Sequence, residues 1–370
     1  MAKEPAIRSL TIQNLLSFGP EPTAVELRNL NVLIGPNGSG KSNLIEVLGL
    51  LQNTPKELGT AISNGGPIDE WLWKGGARSR TAPIAVIEVS LSAQHCREPV
   101  RYRLAFTRGA GFRFEIREES ISDRRESTRD PLPADLNPQR SVLALRGGAE
   151  AARHIATVFE AFKLYRDWEF GTITQLRQPC DASLPNASLE EDFSNLGVVL
   201  DRLLAIPPVK EQILASVRTF YEDTKDLRTT IEAGRVQTRL EEKHLNATIP
   251  LIRMSDGTLR WLTLLTILLN PDPPPLVCIE EPELGLHPDM IHELAKLLID
   301  ASTRMQLIIT THSDRLVEEF TDTPEAVVVC EKENGASKFR RLEREKLTAW
   351  LEEYTLGQIW TRGQIGGTRW

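Results

Sequence analysis

Residues 35–42 read Gly-Pro-Asn-Gly-Ser-Gly-Lys-Ser, and the apolar run Leu30-Asn31-Val32-Leu33-Ile34 leads directly into them. This is G-x-x-x-x-G-K-S between a strand and a helix, the latter opening with Asn43-Leu44-Ile45-Glu46-Val47-Leu48. Gly35, Gly38 and Gly40 carry no Cβ, so successive backbone N–H groups can turn inward and cradle a phosphate at a helix N-terminus. Lys41 offers a point charge to the β- and γ-phosphates, and the Ser42 hydroxyl is a Mg²⁺ ligand. Pro36, Asn37, Ser39 and Asn43 complete the set expected to surround a nucleoside triphosphate. A Gly-rich turn with a chance lysine would lack the strand before and the helix after.

Composition sets the outer bounds. The chain has 370 residues, 41% of them hydrophobic, and a net charge of −7. It is long enough for two or three domains, or for one large α/β domain with an insertion. The acidic balance argues against indiscriminate coating of nucleic acid but allows a local basic patch. Cys96, Cys180, Cys278 and Cys330 are far apart with no C-x-x-C, which fits buried thiols in a reducing compartment rather than a zinc site or disulfide framework. The N-terminal Met1–Arg8 has no apolar core of a secretory signal, and the longest apolar stretch, Trp261–Leu269, cannot span a bilayer. A cytoplasmic protein with no membrane partner is expected.

Along the chain, strands are expected around Leu10–Leu16, Leu30–Ile34, Ile84–Leu91, Val100–Phe106 and Phe112–Ile116. The last two are joined by the turn Thr107-Arg108-Gly109-Ala110-Gly111. Tyr102, Leu104 and Phe106 alternate with Arg101 and Arg103, and Phe112, Phe114 and Ile116 alternate with Arg113, Glu115 and Arg117. The hairpin therefore reads as one apolar face and one arginine-rich face, either a nucleic-acid contact or a solvated surface balanced by Glu115, Glu118 and Glu119. Residues 120–140 read as a polar surface loop. From about 150 to 245 the periodicity is mainly helical, and after 250 strands and helices alternate again. The domains expected are an N-terminal lobe with an antiparallel β subdomain (1–145), a helical lobe (146–250), the rest of the α/β core (251–335) and a C-terminal tail (336–370).

The strand Pro275-Leu276-Val277-Cys278-Ile279 ends in Glu280-Glu281-Pro282-Glu283. Apolar residues followed by paired acids form a Walker B arrangement, in which Glu280 would hold Mg²⁺ and Glu281 would polarise the attacking water. Met254-Ser255-Asp256-Gly257-Thr258-Leu259-Arg260 precedes the apolar helix, and Thr310-Thr311-His312-Ser313 follows a second buried strand. With Leu15-Leu16-Ser17-Phe18-Gly19 and Gly285-Leu286-His287-Pro288, this order resembles the ATPase head of the RecF/SMC-like ABC type. More narrowly it is similar to bacterial AAA-family ATPases related to the overcoming-lysogenisation-defect nucleases.

That resemblance implies an α/β P-loop NTPase fold with a central, mostly parallel sheet, an antiparallel β subdomain and a helical lobe inserted between the P-loop and the signature. It implies Mg²⁺-dependent hydrolysis of ATP to ADP and phosphate. It also implies a head-to-tail homodimer in which Ser255 and Gly257 of one copy meet the γ-phosphate held by Lys41 of the other, while His312 senses that phosphate and Gly285-Leu286-His287 crosses the interface. Asp256 stands where transporters carry Gly, and Glu280 where Asp is usual. Gln52, Gln94 and Gln175 are the candidates for the glutamine of the connecting loop. His287 and His292 lack the H-E-x-x-H spacing of a zinc site.

By the resemblance, such a switch acts in DNA maintenance or anti-phage defence, with duplex DNA meeting Arg101, Arg103 and Arg113. The alternative is a regulatory ATPase that binds no DNA and controls a separately encoded nuclease or toxin. A transporter subunit fits poorly, because more than two hundred residues separate Lys41 from Ser255. About 58 residues follow Ser313, too few for an appended nuclease domain. Trp350, Tyr354, Trp360 and Trp370 there read as anchors that complete the fold or dock a partner.

Overall fold

The computed structural model describes residues 3–75, 81–92, 100–122, 138–145, 150–171 and 174–367. In chain order the first elements are β1 (Ile7–Gln13), β2 (Thr23–Glu26), β3 (Leu30–Ile34), α1 (Lys41–Asn53), α2 (Leu58–Asn64), α3 (Ile68–Trp71), β4 (Ala85–Leu91), β5 (Val100–Arg108), β6 (Phe114–Ser122) and α4 (Glu150–Glu160). Then come β7 (Lys163–Tyr165), β8 (Cys180–Asp181), α5 (Leu196–Leu204), α6 (Pro207–Phe220), β9 (Thr224–Glu232), β10 (Arg235–Glu242), β11 (Ile249–Pro250), α7 (Asp256–Leu268), β12 (Leu276–Glu280) and α8 (Ile291–Ala301). The last are β13 (Gln306–Thr310), α9 (Asp314–Glu318), β14 (Val327–Glu333), β15 (Ala336–Arg341), α10 (Arg344–Leu351) and α11 (Leu356–Thr361). Two compact units result: residues 3–162 with 308–370, and residues 163–307.

In the first unit β3 is buried at all five residues, as a strand covered on both faces must be. It pairs in parallel with β14, Leu33 opposite Val328, and the local order is β15-β14-β3-β13. β15 returns antiparallel to β14. A separate antiparallel sheet has the order β2-β1-β4-β5-β6. The expected hairpin is β5–β6, with a register shift between Ala105 and Phe106.

The turn and the shift each change one expectation. Phe112 lies at the hairpin tip and is 71% exposed, so it is not on the apolar face. Glu119 turns inward and is buried, so it does not balance a solvated face. Its carboxylate accepts from Tyr102 Oη (2.8 Å), Ser141 Oγ (2.6 Å) and the Val142 N–H (2.9 Å). Burial still pushes the Glu119 carboxyl above its ordinary range. Most of the expected polar loop, residues 123–137, lies outside the described residues, as do Gln94, Cys96 and Trp370.

The segment 336–370 is more than a tail. β15 extends the sheet that carries β3, and α11 packs on α9. Trp360 is buried, with Nε1 donating to Gly367 O at 3.2 Å, whereas Trp350 stays 40% exposed.

The second unit holds the parallel pair β12–β7, Cys278 opposite Leu164, and an antiparallel group in which β10 pairs with β8, β9 and β11. The expected helical lobe is thus only partly helical. Val236, Thr238 and Leu240 alternate with Arg235, Gln237 and Arg239 along β10, a strand period. Ala233 and Gly234 both have positive φ, 50° and 75°, the geometry of a tight two-residue hairpin turn. α7 is buried from Leu259 to Leu268, which explains its mostly apolar sequence. Among the described residues, no helix is long and apolar enough to cross a membrane.

Candidate functional site

In the first unit the loop between β3 and α1 has the geometry its glycines imply. Gly35, Gly38 and Gly40 lie at φ 146°, 76° and 107°. A Cβ on Gly35 would collide with the Cys330 carbonyl, and one on Gly40 with the Ser337 hydroxyl. Gly40 N-caps α1 without any side-chain cap, so the first N–H groups of that helix remain available to an anion. Lys41 is buried, and its ammonium donates to Gly35 O (2.6 Å) and Pro36 O (3.1 Å), folded across the loop. Ser42 and Asn37 are exposed at the same place. A triphosphate fits these residues, because its oxygens would supply acceptors to a helix end and an ammonium that the fold leaves turned toward one spot.

A support for this loop was not visible in its motif. Ser337 on β15 donates through Oγ to Ser39 O (2.7 Å) and accepts from Ser17 Oγ (2.7 Å), and its N–H donates to Ser17 O (2.8 Å). Two segments more than 300 residues apart thus brace the phosphate loop. His312, exposed, follows β13, where the Thr311 N–H donates to Leu33 O at 3.1 Å. It therefore sits beside the end of β3 in the same unit as Lys41.

The second unit carries the acids and the signature. Glu280 closes β12 and pairs with Arg166 Nε at 3.3 Å. Its carbonyl accepts from Trp168 Nε1 at 2.8 Å. Glu281 adopts φ 45°, a left-handed conformation uncommon for a residue with a Cβ. Its carbonyl accepts from Arg260 Nη2 at 2.9 Å. The buried Arg260 guanidinium stacks on Trp168, 4.5 Å from the ring centroid. Burial lowers its pKa to about 10 against the pull of Glu283 and Glu281, so it remains charged near neutrality. Cys278, one turn of the pleat earlier, is pushed well above the usual thiol range by burial, so it is an inert core residue.

Ser255 N-caps α7, its Oγ accepting from the Thr258 N–H at 3.2 Å. Asp256, the departure from the transporter pattern, pairs with Arg177. Arg177 is buried and also donates to Phe170 O (3.0 Å) and Met254 O (2.7 Å). A Cβ on Gly257 would come within 3.2 Å of Gly285 O, and Gly285 has φ 72°, so the signature turn and the loop Gly285–His287 lie against each other.

Other sequence candidates fall elsewhere. Gln52 is buried in α1, donating to Phe162 O at 2.8 Å, a structural tether. Gln175 sits exposed in a 3₁₀ turn. His287 caps the turn Pro288–Met290, Nδ1 lying 3.2 Å from Asp289 Oδ2. Among the described residues no group of three His, Cys, Asp or Glu is placed to hold a metal. On the hairpin, Arg103 pairs with Glu88 and with Glu118 (3.4 Å). Arg101 stands opposite Ser90 and Ser122.

Known proteins share this fold. The Smc head bound to the C-winged helix domain of ScpA matches with a TM-score of 0.63 at 15% identity, over 93% of this chain and all of that one. The Pyrococcus furiosus Smc head bound to the C-terminal domain of ScpA matches with a TM-score of 0.60 at 13% identity, over 94% and 99%. At such identities the likeness is one of fold: an ABC-type ATPase head. In sequence, 86 residues are 31% identical to the chromosome partition protein Smc of Mycobacterium tuberculosis, covering 23% of this chain and 7% of that protein. Residues 30–318 match the family described as "AAA domain, putative AbiEii toxin, Type IV TA system". Since that match takes in the phosphate loop, the signature, both acids and His312, the chain belongs to this AAA ATPase family, on an SMC-head type of fold.

Proposed function

We propose that the chain binds ATP with Mg²⁺ in the loop Gly35–Asn43, hydrolyses it, and uses the bound nucleotide to join two copies head to tail. The observation that carries this is the exposed, capped signature turn Ser255–Gly257 on α7, which presents a hydroxyl and a helix N-terminus for a phosphate. In this reading Lys41 leaves its two carbonyls for the β- and γ-phosphate oxygens. The Ser42 hydroxyl and Glu280 hold the metal, Glu281 orients the attacking water, and His312 contacts the γ-phosphate. Ser255 and Gly257 act on the nucleotide of the second copy. ATP binding then closes the dimer, and hydrolysis opens it by removing the charge that holds it.

The dimer in turn sets the activity of a separately encoded effector. The toxin–antitoxin wording of the family description supports a role in anti-phage defence over DNA maintenance. The neutralised Arg103 removes one member from the proposed duplex contact at Arg101, Arg103 and Arg113. The test is the mass of Glu281→Gln in solution with and without ATP and Mg²⁺, repeated with duplex DNA. A stable ATP-dependent dimer is expected, and a protein that stays monomeric at saturating ATP overturns the switch.

A further inference from the structure

A cleft of about 790 Å³ in the first unit opens between α2 and the tip of the β5–β6 hairpin, and Lys56, Phe112, Arg113 and Arg140 line it. Among the described residues no carboxylate pairs with Lys56, Arg113 or Arg140. Arg140 spends one N–H on Ala144 O at 3.3 Å, and Glu57, the one acid among the described lining residues, accepts from Thr60 Oγ1 at 2.9 Å. In a chain of net charge −7, three cations that no described carboxylate pairs, set in a concave wall, concentrate a local positive field.

Phe112 adds a second feature. It is held at φ 60° and is largely in solvent, against the tendency to bury large apolar side chains. Arg108 backs it, its guanidinium 4.9 Å from the ring centroid, and Arg108 is itself held by Asp69 at 3.1 Å. One face of the ring is thus occupied and the ring is oriented before anything binds.

We propose that this cleft binds single-stranded nucleic acid, with a base stacked on Phe112 and the phosphates on Lys56, Arg113 and Arg140. Cations that track a backbone beside an exposed aromatic ring are the two parts of such a site. A duplex supplies the phosphates but keeps its base faces stacked and paired, so it cannot use Phe112. The sheet face around Arg103 is a poorer polyanion surface, because Glu88 and Glu118 neutralise it. The inference stands apart from the ATPase reading, and its test needs no nucleotide.

The probe is fluorescence anisotropy of a labelled oligothymidylate at low salt, with a blunt duplex of equal length alongside. Oligothymidylate is expected to bind more tightly than the duplex. Phe112→Ala should weaken it by about 5- to 100-fold, and Phe112→Trp should restore it. Arg140→Glu and Lys56→Glu should weaken binding and flatten its salt dependence, while Arg103→Glu leaves it unchanged. All four side chains reach the surface, and thermal melts matching the parent exclude unfolding as a cause. The proposal is overturned by no binding at low salt, by equal or tighter binding of the duplex, or by Phe112→Ala binding as the parent does.

Discussion

Trp168 and Arg260 stack on each other and donate to successive carbonyls of the acid pair, Trp168 Nε1 to Glu280 O at 2.8 Å and Arg260 Nη2 to Glu281 O at 2.9 Å. Glu281, in its left-handed conformation, needs such external support. Arg260 also belongs to α7, whose first turn is the signature, so a shift of that helix is transmitted to the backbone of the proposed catalytic acid. Arg260→Met is expected to lower kcat for ATP about 10- to 100-fold with KM unchanged, because the acid loses its aim while the phosphate loop is untouched. Arg260→Lys should recover part of the loss. Trp168→Phe keeps the stack but drops the bond to Glu280 and should fall between. Steady-state phosphate release measures all three, and a raised KM at normal kcat would instead place Arg260 in nucleotide binding.

Ser337 gives a second prediction at the phosphate loop. Ser337→Ala removes the bonds to Ser39 O and Ser17 Oγ but no part of the loop itself. ATP affinity should fall about 3- to 10-fold, the worth of one net hydrogen bond, with the melting temperature little changed. Gly40→Ala should abolish binding, through both its collision with Ser337 and the cost of a side chain at φ 107°. Adding Ser337→Gly should not rescue it, since the backbone strain stays. Titration calorimetry with a non-hydrolysable ATP analogue reads both; full recovery in the double variant would show that the collision alone forbids a side chain there.

The signature turn offers a test that separates folding from association. Arg177 is buried and ties Phe170, Met254 and Asp256 together, while Asp256 itself is 71% exposed. Arg177→Ala leaves buried carbonyls without a donor and should cost about 1–3 kcal/mol of stability, read by urea unfolding. Asp256→Asn should leave unfolding near the parent and ATP affinity of the monomer unchanged. In the Glu281→Gln background it should weaken ATP-driven dimerisation, measured by sedimentation. A dimer as tight as the parent would mean that the tether at Asp256 has no part in presenting Ser255.

These sites differ in how far the sequence announces them. The phosphate loop and the paired acids are local: a few residues of fixed type between a strand and a helix carry their own geometry. Their supports are not local. Trp168 lies 112 residues from Glu280, Ser337 lies 298 from Ser39, and each looks like an ordinary surface or strand residue until the chain folds. The alternation Val236, Thr238, Leu240 marks the β9–β10 hairpin, but it follows the helical periodicity of α5 and α6 with no Pro or Gly break between α6 and β9. Phe112 and Glu119 depart from the simple alternation for two physical reasons: Phe112 falls in the turn, at φ 60° before β6 begins, and Glu119 falls beyond a register shift. A register shift in the ladder inverts the alternation beyond it, and nothing in the residues 105–117 marks where that shift falls.

Glu119 carries the last prediction, one of pH. Its three hydrogen bonds favour the carboxylate, yet burial outweighs them and raises its folded pKa. Between the ordinary carboxyl value and that raised value the folded protein binds more protons at this group than the unfolded chain does, so stability falls as pH rises through the window. Glu119→Gln removes the titration but turns an amide N–H₂ toward donors on Tyr102, Ser141 or Val142, so it should destabilise by about 1–3 kcal/mol. The gap between parent and Glu119→Gln should therefore widen as pH drops through the window and flatten below the ordinary carboxyl value, where both chains are neutral in both states. Urea unfolding of the two proteins across mildly acidic to neutral pH measures it. A gap that narrows on acidification would mean that the hydrogen bonds, and not burial, set the charge of Glu119.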